Sequence, residues 1–286
     1  MLRRGFAFAA LGLALLAGTL VAGPALSATT QQEPRDVHWS FEGPFGKFDK
    51  AQLQRGYKVY REVCAACHSM NLMYLRNLGQ KGGPFYDPKY ANPNENPYVK
   101  ALAKDLQIKD IDQDTGDNIT RAGGSADRFP APFPNEPAAR ASNGGALPPD
   151  LSVIAKAREG GPAYVYSLLT GFRDAPKGMT VPAGKYYNPY MPGDMSSFWS
   201  GPKDKIPEGG FISMPPPLAP GKVTFDDKSP STVNQQAKDV SAFLAWAAEP
   251  KMEERKQFGL GAMIYLLIFA GLLYASYKKI WKNVAH

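Results

Sequence analysis

The stretch REVCAACHSM, residues 61–70, constrains what this chain can fold into more than any other feature. The 286 residues contain two cysteines and three histidines, and Cys64, Cys67 and His68 all lie in this stretch. A disulfide between two cysteines this close would close a very short loop and stabilise little. Since both thiols of the chain and a histidine lie within five residues, the sequence predicts that these side chains form one functional site.

The two ends of the chain predict export and membrane anchoring. Residues 1–28 combine two early arginines, an apolar run and small residues, which is typical of a cleaved signal peptide; a retained N-terminal anchor is the alternative. Residues 258–277 carry no charge and are long enough to cross a hydrocarbon layer of about 30 Å. Export then places residues 29–250 outside the cytoplasm, followed by a linker at 251–257 and a cytoplasmic tail at 278–286.

Composition adds two constraints on the body of the protein. The net charge of +7 is concentrated at the two ends. The body has no basic stripe interleaved with aromatic residues, so nucleic-acid binding is not predicted. The 28 glycines and 26 prolines predict long irregular loops, above all at residues 76–149 and 174–230, and no strand alternation is recognised. Loops of this length are compatible with a compact domain if they wrap a bound prosthetic group.

The segment before the two cysteines is predicted to be a helix. Asp49 is its expected N-cap, and Leu53, Tyr57 and Tyr60 recur on one helical face. Gly56 lies inside the helix, where glycine costs about 1 kcal/mol relative to alanine. A glycine retained at such a position indicates the close approach of another helix.

Two further helices are predicted in the body. One begins near Pro162 and ends near Gly171, as helix termini prefer. The other follows Thr232, which with Gln235 forms a capping-box pattern, and Pro250 ends it. The three helices together predict a mainly α domain with long loops.

The pattern C-x-x-C-H is the attachment signature of a c-type haem. One helical turn between Cys64 and Cys67 lets both sulfurs reach the vinyl groups on one edge of the macrocycle, and His68 then faces the iron. A zinc site would need about four ligands, and a redox dithiol would need a thioredoxin-like context; the sequence offers neither. One signature predicts one covalently bound haem c.

The second axial ligand of that iron is predicted to be a methionine, which raises the reduction potential. Position along the chain leaves Met179, Met191, Met195 and Met214 as candidates. Met214 is favoured, because three prolines after it fix an extended backbone and the last body helix follows. His38 is interpreted as a surface residue. An open sixth position, as in a haem enzyme or gas sensor, is the alternative.

Several longer stretches resemble one family, and they occur in its order over nearly all of the mature chain. They are FDKAQLQRGYKVYREVCAACHSM, the block from NGGALPPDLS to SLLTG, YYNPYMPG, ISMPPPL, and FLAWAAEP followed by the anchor. They resemble the cytochrome c1 family, the membrane-anchored haem subunits of the cytochrome bc1 complex. The resemblance implies a mainly α fold with a class I cytochrome c-like haem domain and one C-terminal transmembrane helix.

The resemblance also implies roles for individual residues. Cys64 and Cys67 match the thioether cysteines, His68 the proximal ligand and Met214 the distal ligand. Arg158 matches an arginine that the family places near a haem propionate, and a guanidinium can pair with a carboxylate there.

Two details of the ligand surroundings follow from the same resemblance. A carbonyl of Pro148 or Pro149 is expected to orient the proximal histidine. Some bacterial members carry an extra cysteine pair that forms a disulfide in the ligand loop, and this chain has none. Its insertion at residues 194–211 is therefore expected to hold Met214 by packing alone.

The function that the resemblance implies is electron transfer, with no enzymatic activity of the chain on its own. The family passes electrons from a Rieske iron–sulfur protein to a cytochrome c, beside cytochrome b, in a dimeric quinol–cytochrome c oxidoreductase of the bacterial inner membrane. A free-standing tethered cytochrome c shuttle is the alternative. The acidic stretch at residues 104–117 is interpreted either as a solvated loop or as a surface that steers a basic cytochrome c.

Overall fold

The computed structural model describes residues 31–283, which form a mainly helical protein with one long apolar C-terminal helix. The predicted signal peptide at 1–28 and the last three residues of the predicted tail lie outside the described residues. The helices in the described part are α1 (Lys50–Glu62), α2 (Pro97–Lys104), α3 (Glu136–Ser142), α4 (Ile154–Ala157), α5 (Gly161–Thr170), α6 (Val233–Ala248) and α7 (Met252–Ile280).

Helix α1 confirms the helix predicted before the cysteines. The side chain of Asp49 accepts a hydrogen bond from the backbone N–H of Gln52, which satisfies one of the unpaired donors of the first turn. Leu53, Tyr57 and Tyr60 are all buried. Apolar side chains spaced by three and four residues therefore turn one face of α1 into the core.

The crossing of α1 and α6 depends on a glycine. A Cβ atom at Gly56 would lie 2.1 Å from the backbone oxygen of Asp239 and 2.7 Å from the Cβ atom of Phe243. Because only a hydrogen fits in this space, the close helix approach predicted from Gly56 is confirmed. The core that forms around the crossing includes residues of both helices and of the chain that precedes α6.

Helix α6 is buried on nearly all sides and carries a buried carboxylate. Thr232 caps the helix by accepting from the N–H of Gln235, but the amide of Gln235 binds Asp239 instead of returning to Thr232, so only half of the predicted capping box forms. Asp239 is fully buried and pairs with Arg55 Nε at 2.8 Å. This ion pair joins α6 to α1 beside their crossing.

Two short antiparallel sheets correct the sequence interpretation, which recognised no strands. Strands β1 (Gln107–Ile111) and β2 (Asn118–Ala122) form a hairpin, and β3 (Tyr186–Asn188) pairs with β4 (Gly210–Ile212). The strands are three to five residues long, and the hairpin is largely exposed. Strands this short show too little alternation to be recognised from sequence.

Helix α7 leaves the domain directly after α6. It runs unbroken from Met252 to Ile280, so the predicted linker is helical from Met252 onward. Met252 is its one buried residue, while Phe258 and the large apolar side chains beyond it are exposed. In the described part of the chain this is the one helix long and apolar enough to cross a membrane.

Candidate haem site

The two cysteines lie in a tight turn that continues from α1. The helix ends at Glu62, and Cys64–Ala66 form one turn of 3-10 helix. The N–H groups of Cys67 and His68 both donate to the carbonyl of Cys64, at 3.1 and 2.9 Å. Neither cysteine is in a disulfide, and Cys64 is half-buried while Cys67 is exposed. The fold therefore presents two thiols one turn apart, followed at once by an imidazole.

The imidazole of His68 has its tautomer fixed by a backbone carbonyl. Its Nδ1 lies 2.8 Å from the carbonyl oxygen of Pro149. A carbonyl can only accept, so Nδ1 carries the proton and Nε2 keeps its lone pair. Burial lowers the pKa of His68, although the Pro149 carbonyl and the charge of Asp150 act in the opposite direction. A neutral, oriented imidazole is the form that binds a metal.

The loop after His68 is clamped by a carboxylate that the sequence interpretation missed. Asp150 accepts from Ser69 Oγ at 2.8 Å and from the N–H of Asn71 at 2.7 Å. Its partial burial raises the pKa of Asp150, but hydrogen bonds from Ser152, Asn71 and Ser69 outweigh this and lower it below the ordinary value. The clamp holds the turn against the Pro149 carbonyl, and the signal for it was the aspartate directly after two prolines.

The surroundings of Cys64 connect the cysteine turn to the chain beyond Met214. The pKa of Cys64 is raised to about 12, mainly by burial and also by the nearby Cys67, while the ammonium of Lys222 acts against both. Cys64 packs against the hydrophobic core cluster that includes Tyr60 and Leu218. Lys222, eight residues after Met214, therefore lies within electrostatic range of the first cysteine of the turn.

The four candidate methionines differ in what they contact. Met214 is half-buried and lies two residues after β4. The sulfur of Met191 accepts from the Tyr164 hydroxyl at 4.0 Å, and Met195 is 4% exposed within the insertion. Met179 forms an isolated β-bridge with the insertion. Met179 and Met195 thus take part in the packing of the insertion, and Met191 contacts α5.

The insertion at residues 194–211 is folded back by aromatic and backbone contacts. Phe198 meets Phe211 edge to face with ring centroids 5.2 Å apart. The Tyr187 hydroxyl donates to the carbonyl of Glu208 at 2.5 Å, and β3 pairs with β4 on the same side. Because β4 ends two residues before Met214, these contacts fix the backbone that carries it.

Arg158 lies at the C-terminal end of α4 and is exposed. Its Nη1 donates to the carbonyl of Ala157 at 3.0 Å. The guanidinium also lies beside the hydroxyl of Tyr164, where burial raises the pKa of that tyrosine more than the arginine lowers it. The structure brings Arg158 together with Tyr164, and Tyr164 with Met191, but it gives Arg158 no direct contact with the cysteine turn.

The donor set fits a covalently bound haem better than a protein-only metal ion. Residues 31–283 contain no group of three or more His, Cys, Asp or Glu side chains that could hold a metal. His38 is 90% exposed and pairs with Glu42, as expected of a surface residue. Two thiols one turn apart and a neutral, oriented His68 imidazole are the donors that the C-x-x-C-H pattern offers to a c-type haem.

Comparison with known proteins identifies what the whole chain is similar to. A family model described as the Cytochrome C1 family matches residues 39–284. The chain is 39% identical to a cytochrome c1 of Blastochloris viridis, with 95% of each chain covered. It is 43% identical to a mitochondrial cytochrome c1 haem protein of Arabidopsis thaliana, covering 87% of this chain and 72% of that protein.

One relative is a larger protein. The chain is 45% identical to a protein of Bradyrhizobium diazoefficiens named cytochrome b/c1, and the match covers 98% of this chain but 40% of that protein. The chain thus spans less than half the length of this relative, whereas it matches the Blastochloris protein over nearly its full length.

Proposed function

The chain belongs to the cytochrome c1 family, and we propose that it takes one electron at a time from a Rieske iron–sulfur protein and passes it to a cytochrome c. It acts as the haem subunit of a bc1 complex, and enzymatic turnover belongs to the complex. A haem bound to this chain would supply the one-electron iron couple.

Five residues are proposed to hold that haem. Cys64 and Cys67 attach it through thioether bonds, so that it stays with the exported chain. His68 offers Nε2 to the iron, because its other ring nitrogen donates to Pro149. Met214 would hold the iron through its thioether sulfur. Arg158 pairs with a propionate, a role that its exposed guanidinium next to Tyr164 permits.

The proposed arrangement is that of a class I cytochrome c domain. In such a domain the first and last helices cross beside the haem, and the contact between α1 and α6 at Gly56 supports this assignment. A fixed ligand pair in a largely apolar site keeps reorganisation small when the charge of the iron changes. The long loops between these helices then form the walls of the haem crevice.

The proposed location is the bacterial inner membrane, with α7 as a single-pass anchor. The haem domain lies in the periplasm and the C-terminal tail in the cytoplasm, since a signal peptide is predicted at the other end. Cytochrome b and the Rieske protein are the proposed partners, in a dimeric complex. The relative named cytochrome b/c1 supports the association with cytochrome b.

The observation that carries the proposal is the cysteine turn with its oriented His68 in a chain of this family. We expect one haem per purified chain in a pyridine haemochrome assay, retained after acid–acetone extraction. The double variant Cys64→Ala and Cys67→Ala should lose that retention. Mild detergent extracts should show co-migration with cytochrome b and an iron–sulfur protein, whereas a free-standing shuttle would migrate alone.

The acidic stretch at 104–117 is a candidate docking surface for a basic cytochrome c, and several of its carboxylates already have partners within the chain. Asp110 is 2.6 Å from Arg121, Asp105 pairs with Arg61, and Asp112 accepts from two backbone N–H groups of the turn. The remaining acids of the hairpin are Asp114 and Asp117, which are both exposed.

Steering by the hairpin predicts a rate effect that depends on salt. The double variant Asp114→Asn and Asp117→Asn should slow the reduction of cytochrome c several-fold at low ionic strength and match the parent at high ionic strength. Stopped-flow kinetics across a salt titration measure this. Equal rates at every salt concentration would leave the hairpin a solvated loop.

A further inference from the structure

An exposed phenylalanine lies in a turn close to the start of α7. Phe45 is 75% exposed, and the turn around it includes Gly43, whose φ of +68° favours glycine. The aromatic residues on either side of this turn behave differently. Trp39 and Phe41 are buried, and Phe48 packs against their cluster, so Phe45 is the one ring of the segment that faces outward.

The turn is fastened to α7 at two points. Lys256 Nζ donates to the carbonyl of Phe41 at 2.6 Å and to that of Gly46 at 3.3 Å. One turn earlier on the same helical face, Glu253 Oε1 accepts from the N–H of Phe48 at 2.9 Å. These bonds reach the backbone on both sides of Phe45, so the turn cannot move independently of the anchor helix.

A buried apolar contact supports the same attachment. Met252, the first residue of α7, packs in a core cluster with Trp39, Phe41 and Ala242. The rings of Phe41 and Phe48 lie 4.7 Å apart between their centroids. The base of α7 is thus seated on the segment that carries the turn, and the position of the turn along the helix axis is fixed.

That position can be compared with the expected depth of the membrane. Lys256 precedes Phe258 by two residues, which is a rise of about 3 Å along the helix. Phe258 is 81% exposed and begins the uncharged run. The headgroup layer adds roughly 5–8 Å on each side of the hydrocarbon core, so a turn held at the level of Lys256 lies within that layer if α7 crosses the membrane.

We propose that the turn at residues 43–46 sits in the headgroup layer of the membrane, with Phe45 as its apolar contact to lipid. The proposal rests on the proposed anchoring of the chain by α7. An apolar side chain in the interface gains from removal of its surface from water. Together with α7, it gives the haem domain a second point of contact and limits its tilt over the membrane.

Photo-crosslinking in native membranes containing the assembled complex tests this. The photoreactive amino acid benzoylphenylalanine replaces Phe45, Phe258 or Tyr98 in three separate full-length variants. Tyr98 is a matched control in the haem domain, because it is an aromatic residue that is 62% exposed. All three positions are exposed, so the haem absorbance of each variant should equal that of the parent.

We expect mass spectrometry to find phospholipid adducts at positions 45 and 258 and none at position 98. An adduct at position 45 to cytochrome b or another protein, without lipid, would overturn the proposal and make the turn a subunit contact. Lipid at position 258 but no adduct at position 45 would also overturn it. If position 258 gives no lipid adduct either, the proposed anchoring by α7 is wrong as well. The result at position 258 therefore distinguishes an error in the anchoring from an error in the lipid contact of the turn.

Discussion

The His68 side of the candidate haem site and its Met214 side are assembled in different ways. His68 follows the end of α1, a helix seated on α6 through Gly56, and one carbonyl of Pro149 orients it. Met214 follows a strand of three residues and depends on contacts of Phe211 with its aromatic neighbours. One side rests on two long packed helices, and the other on short strands and loops.

This difference in support indicates that the His68 side should be rigid and that the Met214 side should open locally. Helices that share a buried face open only with the whole domain, whereas loops with few buried contacts open locally at lower free energy. We therefore expect attachment through Cys64, Cys67 and His68 to survive changes that disturb Met214. A substitution of Met214, the proposed ligand on the loop side, should therefore have the largest effect on the site.

The largest expected effect is that of Met214→Leu. The covalent haem should remain, because the cysteine turn is untouched. The weak long-wavelength band of thioether sulfur bound to ferric haem should disappear, and the reduction potential should fall by on the order of 0.1 V, since axial ligands set haem potentials over roughly 0.8 V. Absorption spectroscopy and redox titration measure both, and quinol-driven cytochrome c reduction should nearly stop.

Met195→Leu is the matched control for this variant. Met195 is buried in the insertion that precedes Met214, and the exchange nearly conserves volume, so it should cost less than about 1.5 kcal/mol of stability and keep the band. If Met214→Leu keeps the band while a leucine at position 179, 191 or 195 removes it, the ligand assignment is wrong. Carbon monoxide binding to the reduced parent would instead indicate an open sixth position.

The same comparison explains what the sequence could predict. On the His68 side, the helix is predicted by its periodic apolar residues, its cap by Asp49 and the close helix approach by Gly56. All three signals are local in sequence, and the structure confirms all three predictions. The contact of His68 with Pro149 spans 81 residues. The resemblance to a family limited the partner of His68 to one of two prolines, and the structure shows that it is Pro149.

On the Met214 side, the sequence alone predicted a loop. The pairing of β3 with β4 joins strands of three residues, which are too short for a periodic signal. The contact of Phe198 with Phe211 depends on how the chain between them folds back. Prolines and glycines mark this region as irregular, but they do not indicate which distant residues meet. The carboxylates Asp150 and Asp239 were missed for the same reason.

The helical support of the His68 side can be tested with Gly56→Ala. A Cβ atom there would meet the backbone of Asp239 at 2.1 Å, so α1 and α6 must separate. We expect a loss of about 2 kcal/mol of stability from overpacking, despite the higher helix propensity of alanine. Thermal unfolding of the detergent-solubilised holoprotein, followed by circular dichroism in the Soret band, measures the change.

Gly271→Ala in α7 is the control, because a Cβ atom at Gly271 has no atom within 4 Å. It should leave the unfolding temperature of the haem domain unchanged. An unchanged temperature for Gly56→Ala as well would mean that the crossing of α1 and α6 adapts to a larger residue. The two helices would then not be a rigid support for His68.

The smallest expected effect concerns the ion pair that links the two sides. Arg55 on α1 binds buried Asp239 at 2.8 Å and Asp227 at 2.6 Å, and Asp227 lies on the chain between Met214 and α6. Hydrogen bonds from Ser229 and then Arg55 lower the pKa of Asp227 to about 2. Asp227→Asn removes this titrating group and its part of the link.

The sign follows from proton linkage. Because the pKa is depressed on folding, the unfolded chain binds more protons, and the stabilisation is present above about pH 4 and lost as the pH falls toward about 2. The variant should be slightly less stable at neutral pH and should lose less stability on acidification. Asp226→Asn is the control, since its pair with Lys58 leaves the carboxylate 89% exposed and such pairs contribute little. Acid titrations of the unfolding temperature that are parallel for Asp227→Asn and the parent would mean that Arg55 joins α1 to α6 without holding the Met214 side.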